Sequence, residues 1–102
     1  MLAVEVRVNG ELKGVCGAGE LEHLMAWFSA ERKGAHEAKD YEFILQCQGH
    51  VLVDPETNEA LKWVHARMKF GDEVTLQFVD ATAVHQPIDR QRYPSRAIPP
   101  DA

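Results

Sequence analysis

This chain of 102 residues lacks the features of a membrane-spanning protein and of a disulfide-bonded scaffold. It contains no run of about 18 apolar residues, the length that a membrane-spanning helix needs. Its two cysteines, Cys16 and Cys47, are too few for a disulfide framework, so we expect buried free thiols rather than a bridge. The apolar start MLAVEVRVNG carries Glu5 and Arg7 where a signal peptide needs an unbroken apolar segment. We therefore expect a cytoplasmic protein.

Basic residues and catalytic motifs are scarce as well. Eleven Lys and Arg residues face 16 Asp and Glu residues, which gives a formal net charge of -5. Because phosphate contacts dominate the affinity of nucleic-acid binders, this composition argues against nucleic acid and anionic membranes as partners. No G-x-S-x-G, H-E-x-x-H or phosphate-loop motif occurs. We expect no enzymatic activity and no cofactor.

A cysteine and a histidine stand three residues apart in the stretch EFILQCQGHV. Side chains alternate between the faces of a strand, so Cys47 should share the inner face with Phe43 and Leu45. His50 should then face outward. Zinc sites use three or four ligands, commonly as two close pairs, and the chain offers no second pair. We expect no metal site.

Alternating apolar residues predict several strands. Leu2–Val8 alternates and runs into Asn9-Gly10, the strongest short signal for a hairpin turn. A bulge at that turn would place Val8 opposite Leu12 and Val4 opposite Cys16, which keeps the apolar residues on one face. Residues 41–47 and the stretch FGDEVTLQFVDA predict two further strands, the second burying Val74, Leu76 and Phe78.

A helical period dominates the stretch GAGELEHLMAWFSAERKG, residues 17–34. Leu21, Leu24, Met25 and Phe28 fall at i, i+3, i+4 and i+7, the spacing of one face of a helix. Acidic residues at its start and basic residues at its end suit the helix dipole. The sequence therefore predicts one main helix here.

Residues 55–68 allow two interpretations. Asp54-Pro55-Glu56 is typical of a helix start and would begin a second helix over 55–68. It is also typical of a turn between two strands, and the β-branched and aromatic residues on both sides favour that hairpin.

Together these elements predict an α+β fold, a mainly antiparallel sheet of about five strands with one main helix packed on one face. The order of hairpin, helix and further strands resembles that of β-grasp proteins of the ubiquitin-like kind. Residues 1–85 are expected to form a single domain. Residues 86–102, which contain prolines and arginines, are expected to form an extended tail.

The composition favours a small protein-binding domain that uses an acidic surface. Examples of such a protein are a bacterial-type inhibitor, an antitoxin or immunity protein, and an accessory protein. His23 and Trp27 lie off the apolar stripe of the expected helix, and aromatic residues are common in interfaces. The expected binding residues are His23, Trp27, Arg90, Arg92 and Tyr93. The expected partner is another protein, with a homodimer as an alternative. The competing hypothesis is a small enzyme or ligand-binding domain that uses Cys16, near a stretch rich in glycine, and nearby histidines.

Overall fold

The computed structural model describes residues 1–32 and 41–94, and within them every regular element is a β-strand. Two antiparallel sheets form, one with the strand order β2-β1-β6 and one with the order β3-β4-β5-β7. Among the described residues there is no helix of the length and apolarity needed to cross a membrane. The strands are β1 (Leu2–Val8), β2 (Glu11–Gly17), β3 (Leu21–Arg32), β4 (Tyr41–Asp54), β5 (Thr57–Met68), β6 (Val74–Asp80) and β7 (Asp89–Pro94).

The α+β prediction, with its main helix and its β-grasp-like order, is therefore wrong. The stretch expected to be the main helix is β3, an edge strand that pairs with β4, and its residues 33 and 34 lie outside the described part. The alternative of a second helix over 55–68 is wrong as well. That segment is β5, so the hairpin interpretation is confirmed.

The helical period in β3 arises because both faces of the strand carry apolar residues. Leu24, Ala26 and Phe28 pair with Gly49, Cys47 and Leu45 and face the other sheet, whereas Met25 and Trp27 face away. An extra residue at Glu22 forms a β-bulge, which moves Leu21 onto the inner side as well. The i, i+3, i+4 pattern therefore mixes residues from two faces. Pairing with β4, which is distant in sequence, overrides the local helical preference.

The first hairpin turns through two residues in the left-handed region. Asn9 has φ 53° and Gly10 has φ 82°, as the tight turns favoured by hairpins require. Val4 pairs with Cys16 as predicted, but Val8 pairs with Glu11 rather than Leu12. The bulge lies in the strand at Lys13, between the Val6–Gly14 and Arg7–Leu12 pairs, and not at the turn.

The two sheets pack face to face around a small apolar core. The three-stranded sheet contributes Val4, Val6, Val8 and Cys16, and the four-stranded sheet contributes Leu45, Cys47, Leu61, Trp63 and Val64. Packing of this kind buries the inner face of each sheet and leaves the outer face to solvent or to a partner. The inward orientation predicted for Cys47 is confirmed.

One strand of the smaller sheet extends past this core. Val74, Leu76 and Phe78 of β6 pair with Val8, Val6 and Val4, so they lie on the inner face. Leu76 is nevertheless 39% exposed and Phe78 71% exposed. The prediction that β6 buries both residues is wrong, because the four-stranded sheet ends at β3 among the described residues and covers β6 only in part.

Within the predicted tail, Asp89–Pro94 form β7 on the edge of the four-stranded sheet, paired with β5. Proline does not prevent this ladder because Pro94 is the last residue of an edge strand. The remaining tail, residues 95–102, lies outside the described part, and the division into domain and tail after residue 85 stays a prediction.

Candidate functional site

The four-stranded sheet turns one face away from the core. Because Leu45 and Cys47 are buried against the other sheet, the alternating residues Gln46, Gln48 and His50 face the opposite way. Their neighbours on the adjacent strands share this orientation. We call this surface the outer face, and its residues are His23, Met25, Trp27, Gln46, Gln48, His50, Lys62, His65 and Tyr93.

The side chains of the outer face form rows across the strands. Trp27 of β3 lies opposite Gln46 of β4, which lies opposite His65 of β5. In the next row Met25, Gln48 and Lys62 follow one another. Trp27 is partly buried by its neighbours and His65 is exposed. The middle of the face therefore consists of amide, amino and imidazole groups on β4 and β5, and the indole and thioether groups of β3 lie beside them at the sheet edge.

A chain of aromatic contacts crosses the end of this face nearest the β4–β5 turn. The Tyr93 hydroxyl and the His50 Nδ1 atom share a hydrogen bond of 2.6 Å, and their rings meet edge to face with centroids 6.0 Å apart. The His23 ring lies next to His50, with a centroid distance of 6.2 Å. Ala60 lies opposite His50 on the intervening strand β5, and its small side chain leaves room for Tyr93 to reach across. The hydrogen bond fixes the orientation of the His50 ring.

Charged groups on this sheet lie mainly around the edge of the outer face. Arg67 and Glu42 form an ion pair with an N–O distance of 3.6 Å, and Asp89 lies opposite Lys62 on β7. The equivalent face of the three-stranded sheet is different. There Glu5 and Arg7 form an ion pair of 2.9 Å near its middle, as is usual for a surface that faces water.

No protein-family model, characterised protein or solved structure matches this chain. The assignment of a site therefore depends on the geometry and chemistry of the described residues. Of the five residues expected to bind a partner, the fold brings His23, Trp27 and Tyr93 to the outer face.

The other two expected binding residues, Arg90 and Arg92, lie on the opposite side of β7. Both contact Glu59, a side chain on β5 whose residue is only 7% exposed. Arg90 Nη1 donates to Glu59 Oε1 and Arg92 Nε donates to Glu59 Oε2, each at 2.9 Å. The hydrogen bonds from Arg92 and Arg90 hold the pKa of the Glu59 carboxyl below its ordinary value. These arginines are therefore engaged within the molecule, and they fasten β7 to the sheet.

A cleft of about 460 Å³ lies beside Arg90, at one end of the space between the sheets. Leu61 and Trp63 form part of its apolar wall. Two of the polar side chains around it have partners, since Arg90 also contacts Gln86, and Trp63 Nε1 donates to the His85 carbonyl oxygen at 3.0 Å. The exposed residue Glu20 lines the cleft as well.

The geometry around Cys16 does not support the competing hypothesis of a reactive thiol. Cys16 and Cys47 both have an exposed fraction of 0%. A hydrogen bond between the two side chains and burial raise the pKa of the Cys16 thiol. A thiolate is the reactive form of cysteine, so a buried thiol with a raised pKa is a poor nucleophile. His85 lies near this part of β2, but its Nδ1 atom accepts a hydrogen bond from the Val15 amide at 3.1 Å.

Sequence reasoning missed four central residues of the outer face: Gln46, Gln48, Lys62 and His65. The alternation in QCQGH on β4 already indicated that Gln46, Gln48 and His50 share one side. The alternation could not indicate which strand pairs with β4 and so extends that surface. Trp27 joins the surface only because β3 is a strand that pairs with β4.

Proposed function

We propose that this chain is a small, non-enzymatic protein-binding domain that acts through the outer face of its four-stranded sheet. The observation that carries the proposal is the grouping of Trp27, Met25, His50, His65 and Tyr93 on one surface that no other described element covers. An inhibitor, immunity or accessory protein of the cytoplasm would use a domain of this kind.

The composition of the outer face supports binding to protein. The centres of protein interfaces are poor in charged residues and rich in aromatic residues and Met, and they are surrounded by a polar rim. On the outer face, Trp27 and Met25 of the edge strand β3 lie beside the uncharged glutamines of β4, and the Glu42–Arg67 ion pair lies near the strand ends. The glutamine amides can donate and accept hydrogen bonds, so they can satisfy the backbone or side chains of a partner.

The acidity of the chain has a secondary part in this proposal. The formal net charge is -5, but the centre of the outer face contains Lys62 and no carboxylate. The acidic residues therefore lie beside the proposed contact, as Glu42 and Asp89 do, or on other parts of the molecule. Charges in such positions speed the approach of a partner of opposite charge more than they hold the complex together. A basic partner protein fits this arrangement.

A charge placed in the centre of the outer face tests the proposal. His65 is exposed and lies in the row with Trp27 and Gln46, so His65→Glu should introduce a carboxylate into the contact without disturbing the core. We expect capture of the partner to fall by at least about tenfold, because a buried unpaired charge is costly at an interface. The measurement is affinity capture from lysate with quantitative mass spectrometry, followed by titration of the purified partner.

Thr75→Glu is the matched control, because Thr75 is an exposed residue of β6 on the outer side of the three-stranded sheet. The two variants add the same side chain to an exposed strand position. A partner retained by the wild type and by Thr75→Glu but lost by His65→Glu supports the proposal. Equal capture by all three proteins contradicts it.

A further inference from the structure

The two sheets present four edge strands, β2, β6, β3 and β7, and of these β2 and β7 are protected while β3 is the longest. The edge of β2 is closed by His85, whose backbone amide donates to the Val15 carbonyl oxygen at 2.9 Å and whose Nδ1 atom accepts from the Val15 amide. The edge strand β7 is short, carries charged residues and ends at Pro94. Charge, proline, short length and covering segments are the usual means by which proteins block edge-to-edge pairing.

The edge strand β3 has none of these protections over its middle. It is 12 residues long and pairs on one side only, with β4, among the described residues. Its central residues contain no proline and no lysine, and its charged residues lie towards its two ends. Phe28 is 69% exposed and Met25 is 39% exposed. A long apolar edge of this kind is a template for another strand.

We infer that β3 pairs with the β3 of a second copy of this chain, antiparallel, about a two-fold axis that passes through Trp27. Directly opposite residues of two antiparallel strands point to the same face of a sheet. When a two-fold axis relates the two strands, this requires that the axis pass between one residue and the same residue of the second copy. With Trp27 on the axis, Phe28 lies opposite Ala26 of the second copy and Met25 lies opposite Ser29. The apolar inner residues then meet one another.

The charges at the ends of β3 favour this register. With the axis at Trp27, Glu22 in its bulge comes beside Arg32 of the second copy, and symmetry repeats this contact at the other end. The ladder between them runs from residue 23 to residue 31. The β-bulge at Glu22 lies just outside that range, so the part of β3 that pairs is the part that is regular. Opposite charges across an antiparallel pair are stabilising.

A second copy on this edge would also cover the exposed residues of β6. Ala26 lies beside Leu76, Gln77 and Phe78, which form the walls of a small cavity that opens at the same side of the molecule. The partner strand would approach over this opening, so Phe28, Leu76 and Phe78 would lose their contact with water together. The pairing leaves the outer face uncovered, and it does not depend on the proposed function.

Sedimentation velocity over a concentration series tests this inference first. The wild type should change from monomer to dimer as its concentration rises, and Phe28→Lys should shift that change to at least about tenfold higher concentration, since a charge would replace an apolar contact. Ile88→Lys is the matched control, because Ile88 is 66% exposed and lies at the opposite side of the sandwich, where its amide donates to the Lys62 carbonyl oxygen. A monomeric wild type, or equal effects of the two variants, would overturn the inference.

Charge reversal tests the register. Glu22→Arg and Arg32→Glu should each weaken the dimer, because each places like charges opposite one another at both ends of the ladder. The double variant Glu22→Arg with Arg32→Glu should restore dimerisation to within a few fold of the wild type. If the double variant is as weak as the single variants or weaker, the register is wrong.

Crosslinking gives a measurement that does not depend on affinity. Trp27→Cys places a thiol on the two-fold axis, within reach of its own copy in the second chain, since directly opposite Cβ atoms lie about 5 Å apart. Mild oxidation should yield a covalent dimer that reducing agent separates. His65→Cys, two strands away on the same face, should yield none. Crosslinking through residue 65 but not residue 27 would exclude the pairing.

Discussion

Glu59 is a carboxylate that remains charged although its residue is 7% exposed. Two guanidinium groups make this burial tolerable, because each donates a hydrogen bond of 2.9 Å to a different carboxylate oxygen. Charge-assisted bonds of this kind are stronger than neutral ones. The residue therefore acts as the fastening point of β7, the strand that brings Tyr93 to His50.

This arrangement predicts how stability depends on pH. Because Arg92 and Arg90 hold the pKa of folded Glu59 below its ordinary value, the folded state releases the proton more readily than the unfolded state does. The ion pairs therefore stabilise the fold fully at a pH above the ordinary pKa of a glutamate carboxyl. This stabilisation is lost as the pH falls through the lowered pKa of folded Glu59. Glu59→Gln should melt at a lower temperature than the wild type at neutral pH. The difference in melting temperature between the two proteins should shrink as the pH falls through the lowered pKa of Glu59.

Thermal melts from neutral to acidic pH measure this effect. Glu56→Gln, which removes an exposed carboxylate from the β4–β5 turn, is the control and should give a curve parallel to that of the wild type. If the gap between the wild type and Glu59→Gln stays constant with pH, the ion pairs do not contribute in the way we describe.

At the scale of elements, sequence reasoning succeeded where one face of a strand is apolar and the other is not. The strands β1 and β6, and the hairpin of β4 and β5, follow that pattern or are bounded by clear turn residues. It failed at β3, where Met25 and Trp27 make the second face apolar and hide the period of two. That second face is apolar because it belongs to the outer face. The residue composition that we assign to binding is thus the reason for the wrong prediction.

Strand pairing was less predictable than strand position. The Val4–Cys16 pair followed from the apolar pattern, but the position of the bulge at Lys13 did not. A bulge at any residue between the turn and Cys16 would keep the apolar residues on one face, so the pattern alone does not fix its place. The contact between Tyr93 and His50 was beyond local reasoning too. It joins β7 to β4 across β5, and it depends on the small side chain of Ala60.

The turn between β1 and β2 also has a long-range role, which yields a prediction. The Asn9 side chain donates to Asp72 Oδ1 and accepts from the Glu73 amide, each at 3.0 Å, so it fastens this turn to the start of β6. Asn9→Ala removes both hydrogen bonds. It also places alanine at φ 53°, in the left-handed backbone region that alanine adopts less readily than asparagine does. We expect a loss of about 2 kcal/mol in the free energy of unfolding, from two net hydrogen bonds and the left-handed backbone.

Asn9→Gly separates the two causes, since glycine adopts this backbone region freely but lacks the side-chain bonds. It should lose about 1 kcal/mol, less than the alanine variant. Urea denaturation curves of the three proteins measure both values. An alanine variant as stable as the wild type would show that the contacts with Asp72 and Glu73 contribute nothing.

For the whole molecule, stability depends on one thin layer of apolar side chains between two sheets. Cys16 and Cys47 come from different sheets and contact each other within that layer. A reagent can reach either sulfur only when the sheets separate. The accessibility of both thiols should therefore report the opening of the whole sandwich rather than a local fluctuation.

Thiol labelling of the native protein tests this relation and the competing hypothesis of a reactive Cys16. We expect both thiols to react together, at least about a thousandfold more slowly than an exposed thiol, since domains of this size are stable by several kcal/mol. Thr75→Cys, an exposed position on β6, provides the fast reference within the same fold. The slow rate should rise with denaturant in proportion to the unfolded population. Rapid labelling of Cys16 alone in the folded protein would favour a reactive thiol and contradict the closed core.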